Sequence, residues 1–374
     1  MRVRRLIPLI AQPDYKVINE RRSLAEELIQ VAFSSIDART ATTRALKEAS
    51  EVVDLNGCVV FAFGKAALPM AQATLEQIEV ARGRVHCFES GCLGPLTLVE
   101  SNHPSPAPDA AERGEELLEL ARSLGPKDVA LCLVSGGGSS MLERPRPGVS
   151  LAQLAEESAR LMRAGADIQT LNQRRRELSM VKGGGLSEAI RPAQIVNIMI
   201  SDTPGAPLET VASGPTFPAD HTFIAADHLT MRDAVLRAAP QLRPMDELIS
   251  GEARELGARL ASMEPGFIAT GETTVTVTGQ GRGGRNHELV LGALQTWRAQ
   301  SSGGGLLLSI GSDGVDGSSD AAGAWCDEAL LRCAPDPAEA LRNNDAHAYF
   351  KRIGGQLVTG PTGTNVADLV ISLP

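Results

Sequence analysis

The chain has 374 residues, more than one hydrophobic core usually supports, so two domains are expected. Hydrophobic residues make up 43% and charged residues 22%, ordinary values for a globular protein. A net charge of −9 argues against a nucleic-acid partner, and no apolar run reaches membrane-spanning length. The basic start, MRVRRLIPLIAQP, has too short an apolar core for a secretory signal. The cysteines (Cys58, Cys87, Cys92, Cys132, Cys326 and Cys333) show no zinc spacing, so free thiols and a cytoplasmic location are expected.

Helical spacing at Leu24, Leu28, Val31 and Ile36 predicts a first helix over 20–36. Strands are predicted at 59–63, 85–89, 96–100, 129–134 and 195–200, with helices over 109–124, 151–164 and 170–181 among them. This alternation argues for a parallel sheet covered on both faces, which binds ligands at the carboxyl ends of its strands. Pro218, Pro240 and Pro244 break the pattern and suggest a boundary around 226–243. The second half opens with a helical pattern over 245–263 and then turns strand-rich, at 267–270, 273–278, 306–310, 357–359 and 369–373. The first two of these strands are expected to form a hairpin at Gly271–Glu272. The fold class expected is therefore α/β in two domains. A Rossmann-like, doubly wound parallel sheet occupies 1–235, and a smaller α/β domain with a mixed sheet occupies 236–374.

Polar motifs fall just after the predicted strands. Lys65 follows the first and opens a helix, where it works against the helix dipole unless an anion is near. Ser135 to Ser140 reads SGGGSS, a glycine-rich turn whose N–H groups suit an anion, with Ser139 and Ser140 adding hydroxyls. Asp202 ends the strand over 195–200, and Lys182 precedes three glycines. The stretch from Thr270 to Glu288, TGETTVTVTGQGRGGRNHE, sets Arg282 and Arg285 among four glycines ahead of a helical pattern. Glycines there allow close approach of a ligand, and a helix start with two arginines suits phosphate or carboxylate. Asp313, Asp316 and Asp320 lie in DGVDGSSD, after an apolar run.

These blocks, taken in order with GKAA at Gly64, HPSP at His103, NQRRRELSMVKGG at Asn172, ISDTPG, ASGPT at Ala212, NNDAH at Asn343 and TGPTGTNVADL, resemble the glycerate 2-kinase family with its MOFRL-type C-terminal domain. The resemblance runs from about Gly64 to Leu373. It implies transfer of the γ-phosphoryl of ATP to D-glycerate, giving 2-phosphoglycerate, with a divalent metal such as Mg²⁺ required. The expected partner is a small hydroxy acid, with a second copy of the chain as one option.

Phosphoryl transfer needs the phosphate held, its charge neutralised and the acceptor aligned. No Walker A motif and no HRD or DFG set is present. Ser135, Gly136, Gly137, Gly138, Ser139 and Lys182 are therefore the candidates for ATP, and Lys65 and Arg285 for charge stabilisation. Asp202 is placed to accept the proton of the acceptor hydroxyl. Arg282 and Asn286 are candidates for the substrate carboxylate, although the sequence does not separate the roles of Arg282 and Arg285. Asp313, Asp316 and Asp320 are rivals of Asp202 for the base work and are better suited to Mg²⁺, with Asp313 and Asp316 the metal candidates; the sequence does not decide which aspartate is base and which binds metal. Glu177, Ala206, Pro207 and Ala107 depart from the family pattern, which leaves room for a 2-hydroxy acid other than glycerate. Two rival readings remain. Gly279, Gly281 and Gly284 satisfy GxGxxG, as an NAD(P)-dependent hydroxypyruvate reductase would use, and a non-catalytic small-molecule-binding homologue would keep the same fold.

Overall fold

The computed structural model describes residues 6–10, 15–103, 105–165, 168–301 and 303–374; Pro104 of the HPSP motif and the arginines at the start of the chain lie outside them. Two compact units result, Ala38–Ala226 and a terminal unit of Met1–Asp37 with Asp227–Pro374. The division expected at 235 and 236 assigned the first helix to the N-terminal half. That helix, α1 (Lys16–Ser35), instead packs on C-terminal elements, because Arg22 reaches the buried Asp327 with Nε at 2.7 Å and lies over the ring of Trp325.

The Ala38–Ala226 unit is a seven-stranded sheet in the order β3-β4-β2-β1-β5-β6-β7. Its strands are β1 (Cys58–Phe63), β2 (Val80–Cys87), β3 (Gly91–Leu93), β4 (Leu96–Glu100), β5 (Val129–Ser135), β6 (Gln194–Ile200) and β7 (His221–Ala226). All pairs are parallel except β3 with β4, so a short antiparallel edge completes a doubly wound sheet. The helices are α2 (Ala38–Ser50), α3 (Ala67–Gln77), α4 (Ala110–Arg122), α5 (Gly138–Met141), α6 (Leu151–Arg163), α7 (Ile168–Leu178) and α8 (Gly185–Ile190). Val59, Phe61 and Phe63 of β1, Cys132 and Val134 of β5 and Met199 of β6 pack with Leu117 of α4 and Leu186 of α8 on one face. Central strands buried on both faces read apolar throughout, which is why β1, β5 and β6 were legible. After β1 the chain moves outward through β2 and β4; it then returns to β5 on the other side of β1. The order reverses between β1 and β5, where doubly wound sheets bind ligands.

The terminal unit holds a mixed sheet of six strands in the order β12-β11-β10-β13-β9-β8. They are β8 (Arg243–Pro244), β9 (Phe267–Gly271), β10 (Leu306–Gly311), β11 (Gly323–Cys326), β12 (Gln356–Leu357) and β13 (Asp368–Leu373), antiparallel except for β8 with β9. Beyond α1, its helices are α9 (His228–Ala238), α10 (Ala253–Ala261), α11 (Arg285–Gln300), α12 (Glu328–Cys333), α13 (Ala338–Arg342) and α14 (Ala346–Ile353). The expected boundary region begins at the end of β7 and contains α9, which is opened by a capping box between Asp227 and Thr230. The helix expected over 245–263 is confined to α10, because Pro244 sits in β8 and Gly251 takes a left-handed φ of 83°.

The expected hairpin does not form. Beyond Gly271 the chain leaves the sheet, and residues 273–278 run extended without a ladder. Their N–H groups find other acceptors. Thr274 N donates to the Gly251 carbonyl at 2.8 Å, Thr276 N to Glu252 Oε2 at 3.1 Å and Thr278 N to Asn344 Oδ1 at 2.8 Å. Alternation of Thr and Val here reflects an extended backbone with two different sides, for which a sheet is only one cause.

Candidate active site

At the reversal point of the Ala38–Ala226 unit, the chain leaving β1 is stitched to the chain leaving β5. Lys65 N donates to the Gly136 carbonyl at 2.9 Å, and Ala66 N donates to Ser135 Oγ at 3.0 Å. Gly136 is obligatory here, since a Cβ would lie 1.9 Å from Oδ2 of Asp202, which follows β6. Gly137 has a φ of 82°, and a Cβ on it would lie 2.9 Å from Lys65 Cγ and 3.1 Å from His103 Cδ2. Lys65, His103 and Asp202 therefore crowd one glycine pair. Ser139 Oγ is 2.9 Å from Ser213 Oγ, and Ser140 Oγ bonds the Gly137 carbonyl at 3.1 Å. Ser213 is brought there by two successive left-handed residues, Ala212 (φ 52°) and Ser213 (φ 65°), a conformation uncommon for residues with a Cβ.

His103 and Ser213 belong to the HPSP and ASGPT motifs; their place beside the glycines comes from the fold. Partial burial, and then the charge of Lys65, hold the His103 imidazole below its usual pKa. A lysine, an imidazole poor in protons and a carboxylate then stand within one small region at strand ends.

Lys182, expected to hold phosphate, has a different partner. Its side chain is 3% exposed, and Nζ meets Oε2 of the fully buried Glu143 at 2.5 Å. Burial lowers the Lys182 pKa, and Glu143 works against that shift. Gly183 N and Gly184 N donate to the carbonyls of Ser213 and Gly214, so KGGG is tied to the strap that carries Ser213. In this structure Lys182 forms a buried ion pair below the site, because Glu143 supplies the anion that a phosphate was expected to supply.

In the terminal unit, the glycine loop ahead of α11 already uses most of its donors. Gly279 N bonds Asn344 Oδ1, Gln280 N bonds Asn343 Oδ1, Gly281 N bonds the Asn343 carbonyl and Arg282 N bonds Asp345 Oδ1. The NNDAH motif thus clamps GRGGRN. At the helix start, Asp316 accepts from Asn286 N (3.0 Å) and Nδ2 (3.2 Å), and from His287 N (2.8 Å) and Nδ1 (2.5 Å). The anion at this helix N-terminus is therefore the protein's own carboxylate. Asp316 is 2% exposed and ringed by donors, which leaves it unsuited to Mg²⁺. Asn286 is equally buried, with its amide on Asp316 and Asp368 and its oxygen accepting from Ser309 Oγ at 2.6 Å. Its side-chain groups are thus engaged within the protein, although it borders the cavity beside Arg285. Arg282 is exposed, with Nη2 on the Ser318 carbonyl at 2.7 Å.

Arg285 lines a cavity with Asp313 and Val315. Nε and Nη2 of Arg285 form a fork on Asp368 (2.5 and 3.1 Å), and Nη2 also meets Glu272 at 2.8 Å. Among the described residues nothing is bonded to its Nη1. Neither Asp368 nor Glu272 was a candidate, although both lie in quoted motifs. The half-buried Asp313 accepts from Val315 N at 3.1 Å through Oδ1. Asp320, 70% exposed, lies beside His347. Among the described residues no three or more His, Cys, Asp or Glu are grouped to hold a metal. Mg²⁺ usually needs only one or two carboxylates with phosphate oxygens and water. Asp313 is the candidate that fits, since its Oδ2 is unbonded among the described residues. The dinucleotide reading loses its basis, because no sheet strand precedes GxGxxG and most of the loop N–H groups are paired within the protein.

A doubly wound sheet with a lysine, a carboxylate and a glycine-rich loop at its reversal point is the layout of an α/β enzyme for small anionic substrates. Comparison with known proteins agrees. The family model described as "Domain of unknown function (DUF4147)" matches residues 24–243, and that of the MOFRL family matches residues 266–368. The chain is 33% identical to a D-glycerate 2-kinase of Thermotoga maritima, over 94% of this chain and 98% of that one. It is 29% identical to a glycerate 2-kinase of Pyrococcus horikoshii, over 94% of this chain and 97% of the other. A crystal structure of glycerate kinase from Thermotoga maritima superimposes with a TM-score of 0.87 at 30% identity, covering 94% of this chain and 99% of that chain. The chain belongs to the glycerate 2-kinase family. No helix among the described residues is long and apolar enough to cross a membrane.

Proposed function

We propose that this chain transfers the γ-phosphoryl of ATP to the 2-hydroxyl of D-glycerate, or of a close 2-hydroxy acid, yielding ADP and 2-phosphoglycerate. The observation that carries the reading is the convergence of Lys65, Asp202 and the Gly136–Gly137 pair at the reversal of the sheet. Asp202 takes the hydroxyl proton, and the freed oxygen attacks the γ-phosphorus. The bond from that phosphorus to the bridging oxygen breaks, and ADP leaves. Lys65, with Ser139 and the backbone of 136–138, holds phosphoryl oxygens and stabilises the charge that builds on them. Arg285 contributes through Nη1, the end of its guanidinium not engaged by Asp368 and Glu272. Asp313 is the carboxylate that would hold Mg²⁺, which would supply neutralisation of phosphate charge.

The test is a screen of 2-hydroxy acids with ATP and Mg²⁺, followed by ADP release and by phosphorus NMR of the product. The expected result is ADP with D-glycerate and a 2-phosphoglycerate signal. A 3-phosphoglycerate signal would overturn the regiochemistry, and no ADP with any acceptor would overturn the kinase reading.

A further inference from the structure

The cavity beside Arg285 has a volume of about 610 Å³, and the proposal above uses only Arg285 and Asp313 of it. That volume lies within the range of small-molecule sites. The extended segment over 273–278 and the turn around Val315 both line it. Val275, Val277 and Val315 are among the lining residues, and Val277 and Val315 are 72% and 40% exposed. Two apolar side chains left in water, from separate segments that border one hollow, form a surface suited to an apolar ligand face. Thr276 points its polar end elsewhere, with Oγ1 on Glu252 at 2.9 Å, while Thr273 and Thr274 border the cavity together with Val275 and Val277.

The charges around this cavity argue against a bare polyanion. Arg254 and Arg285 stand among the carboxylates of Glu252, Glu272, Glu288, Asp313, Asp316 and Asp368. Glu288 is held by Arg254 and Asn344, and Arg285 by Asp368 and Glu272. A flat, uncharged ring meets no such repulsion. Thr274 Oγ1 and Ser318 Oγ donate to carbonyls of Gly251 and Gly283, at 3.2 and 3.3 Å, and keep lone pairs for the hydrogens of an amino or hydroxyl group. We infer that this cavity takes the base and ribose of the nucleotide, with the valines against the ring. The inference rests on the nucleotide-dependent kinase reading and assigns a seat to the uncharged end of the nucleotide.

Adenosine, which has no phosphate, is the probe. Titration calorimetry on the full chain should show binding to the unaltered protein. Val277→Asp and Val315→Asp should each weaken it at least about tenfold, the effect of losing one apolar contact to a ring. In turnover, Val277→Asp should raise KM for ATP by a similar factor and leave kcat and KM for glycerate near their starting values. Val277→Ser serves as the milder substitution should an aspartate disturb folding. Failure of adenosine to bind, equal binding by the variants, or a rise in KM for glycerate alone would each overturn the assignment. Adenosine binding that depends on Val277 in a protein that makes no ADP would sustain the nucleoside site and fell the kinase reading, so the two failures are distinguishable.

Discussion

Asp316 and His287 are bonded twice: the backbone N–H and Nδ1 of His287 both reach Asp316 Oδ2, at 2.8 and 2.5 Å. One carboxylate oxygen thus fixes both the backbone and the ring of His287. The same carboxylate holds Asn286, and the helix start therefore lies fixed against DGVDGSSD before any ligand arrives.

Asp316→Ala should cost the terminal unit roughly 3 kcal/mol or more, because it removes a helix cap and leaves buried donors on Asn286 and His287 without an acceptor. Urea unfolding measures this. A loss under about 1 kcal/mol would show that the cap is dispensable.

Lys65→Ala and Asp202→Asn should each lower kcat at least about 100-fold while leaving the unfolding midpoint nearly unchanged. Lys65 is exposed and Asp202 only half-buried, so neither supports much of the core. Near-normal turnover in either variant would remove that residue from the mechanism.

Lys182 and Glu143 make the opposite prediction. Lys182→Met alone strands a buried carboxylate and should destabilise by about 3–5 kcal/mol, whereas Lys182→Met with Glu143→Leu should recover most of that loss. Chemical denaturation of the single and double variants decides it. If the single variant were as stable as the parent and only its KM for ATP rose, Lys182 would return to the phosphate site.

Burial pushes the His86 imidazole down to about 4, and the nearby charge of Arg84 adds to the shift. The unfolded chain then binds more protons than the folded one between pH 6.5 and about 4. The contribution is complete above pH 6.5 and is lost as pH falls toward about 4, amounting to about 3 kcal/mol. His86→Gln should flatten this part of the stability profile. An unchanged slope in that variant would assign the pH dependence to other groups.

How far the fold could be read depends on where each signal resides. β1, β5 and β6 are apolar along their whole length because both faces are covered, and such runs are visible without a partner. β3, β8 and β12 have three residues or fewer, and their existence depends on the strand beside them. The segment over 273–278 has the period of a strand, yet its neighbours are Glu252, Gly251 and Asn344, which no local pattern announces. The departures at Ala206 and Pro207 lie on an exposed turn, and nothing in the structure explains them.

By itself, the sequence determined the α/β class and the positions of Lys65, SGGGSS and Asp202 at strand ends, because these follow from hydrophobic period and from the motif that interrupts it. It also carried enough ordered motifs to indicate the family. The second sheet is mixed as expected, but through the pairings of β8 to β13 and not through the expected hairpin. Which charges serve the site and which serve the fold was decided only in three dimensions. Lys182 and Asp316 look like ligand-binding groups in a linear reading. Glu143 and the start of α11 take them up because residues 39 and 29 to 30 positions away arrive within hydrogen-bond reach. A charged side chain is characterised by its nearest opposite charge or donor, and only the folded chain establishes which one that is.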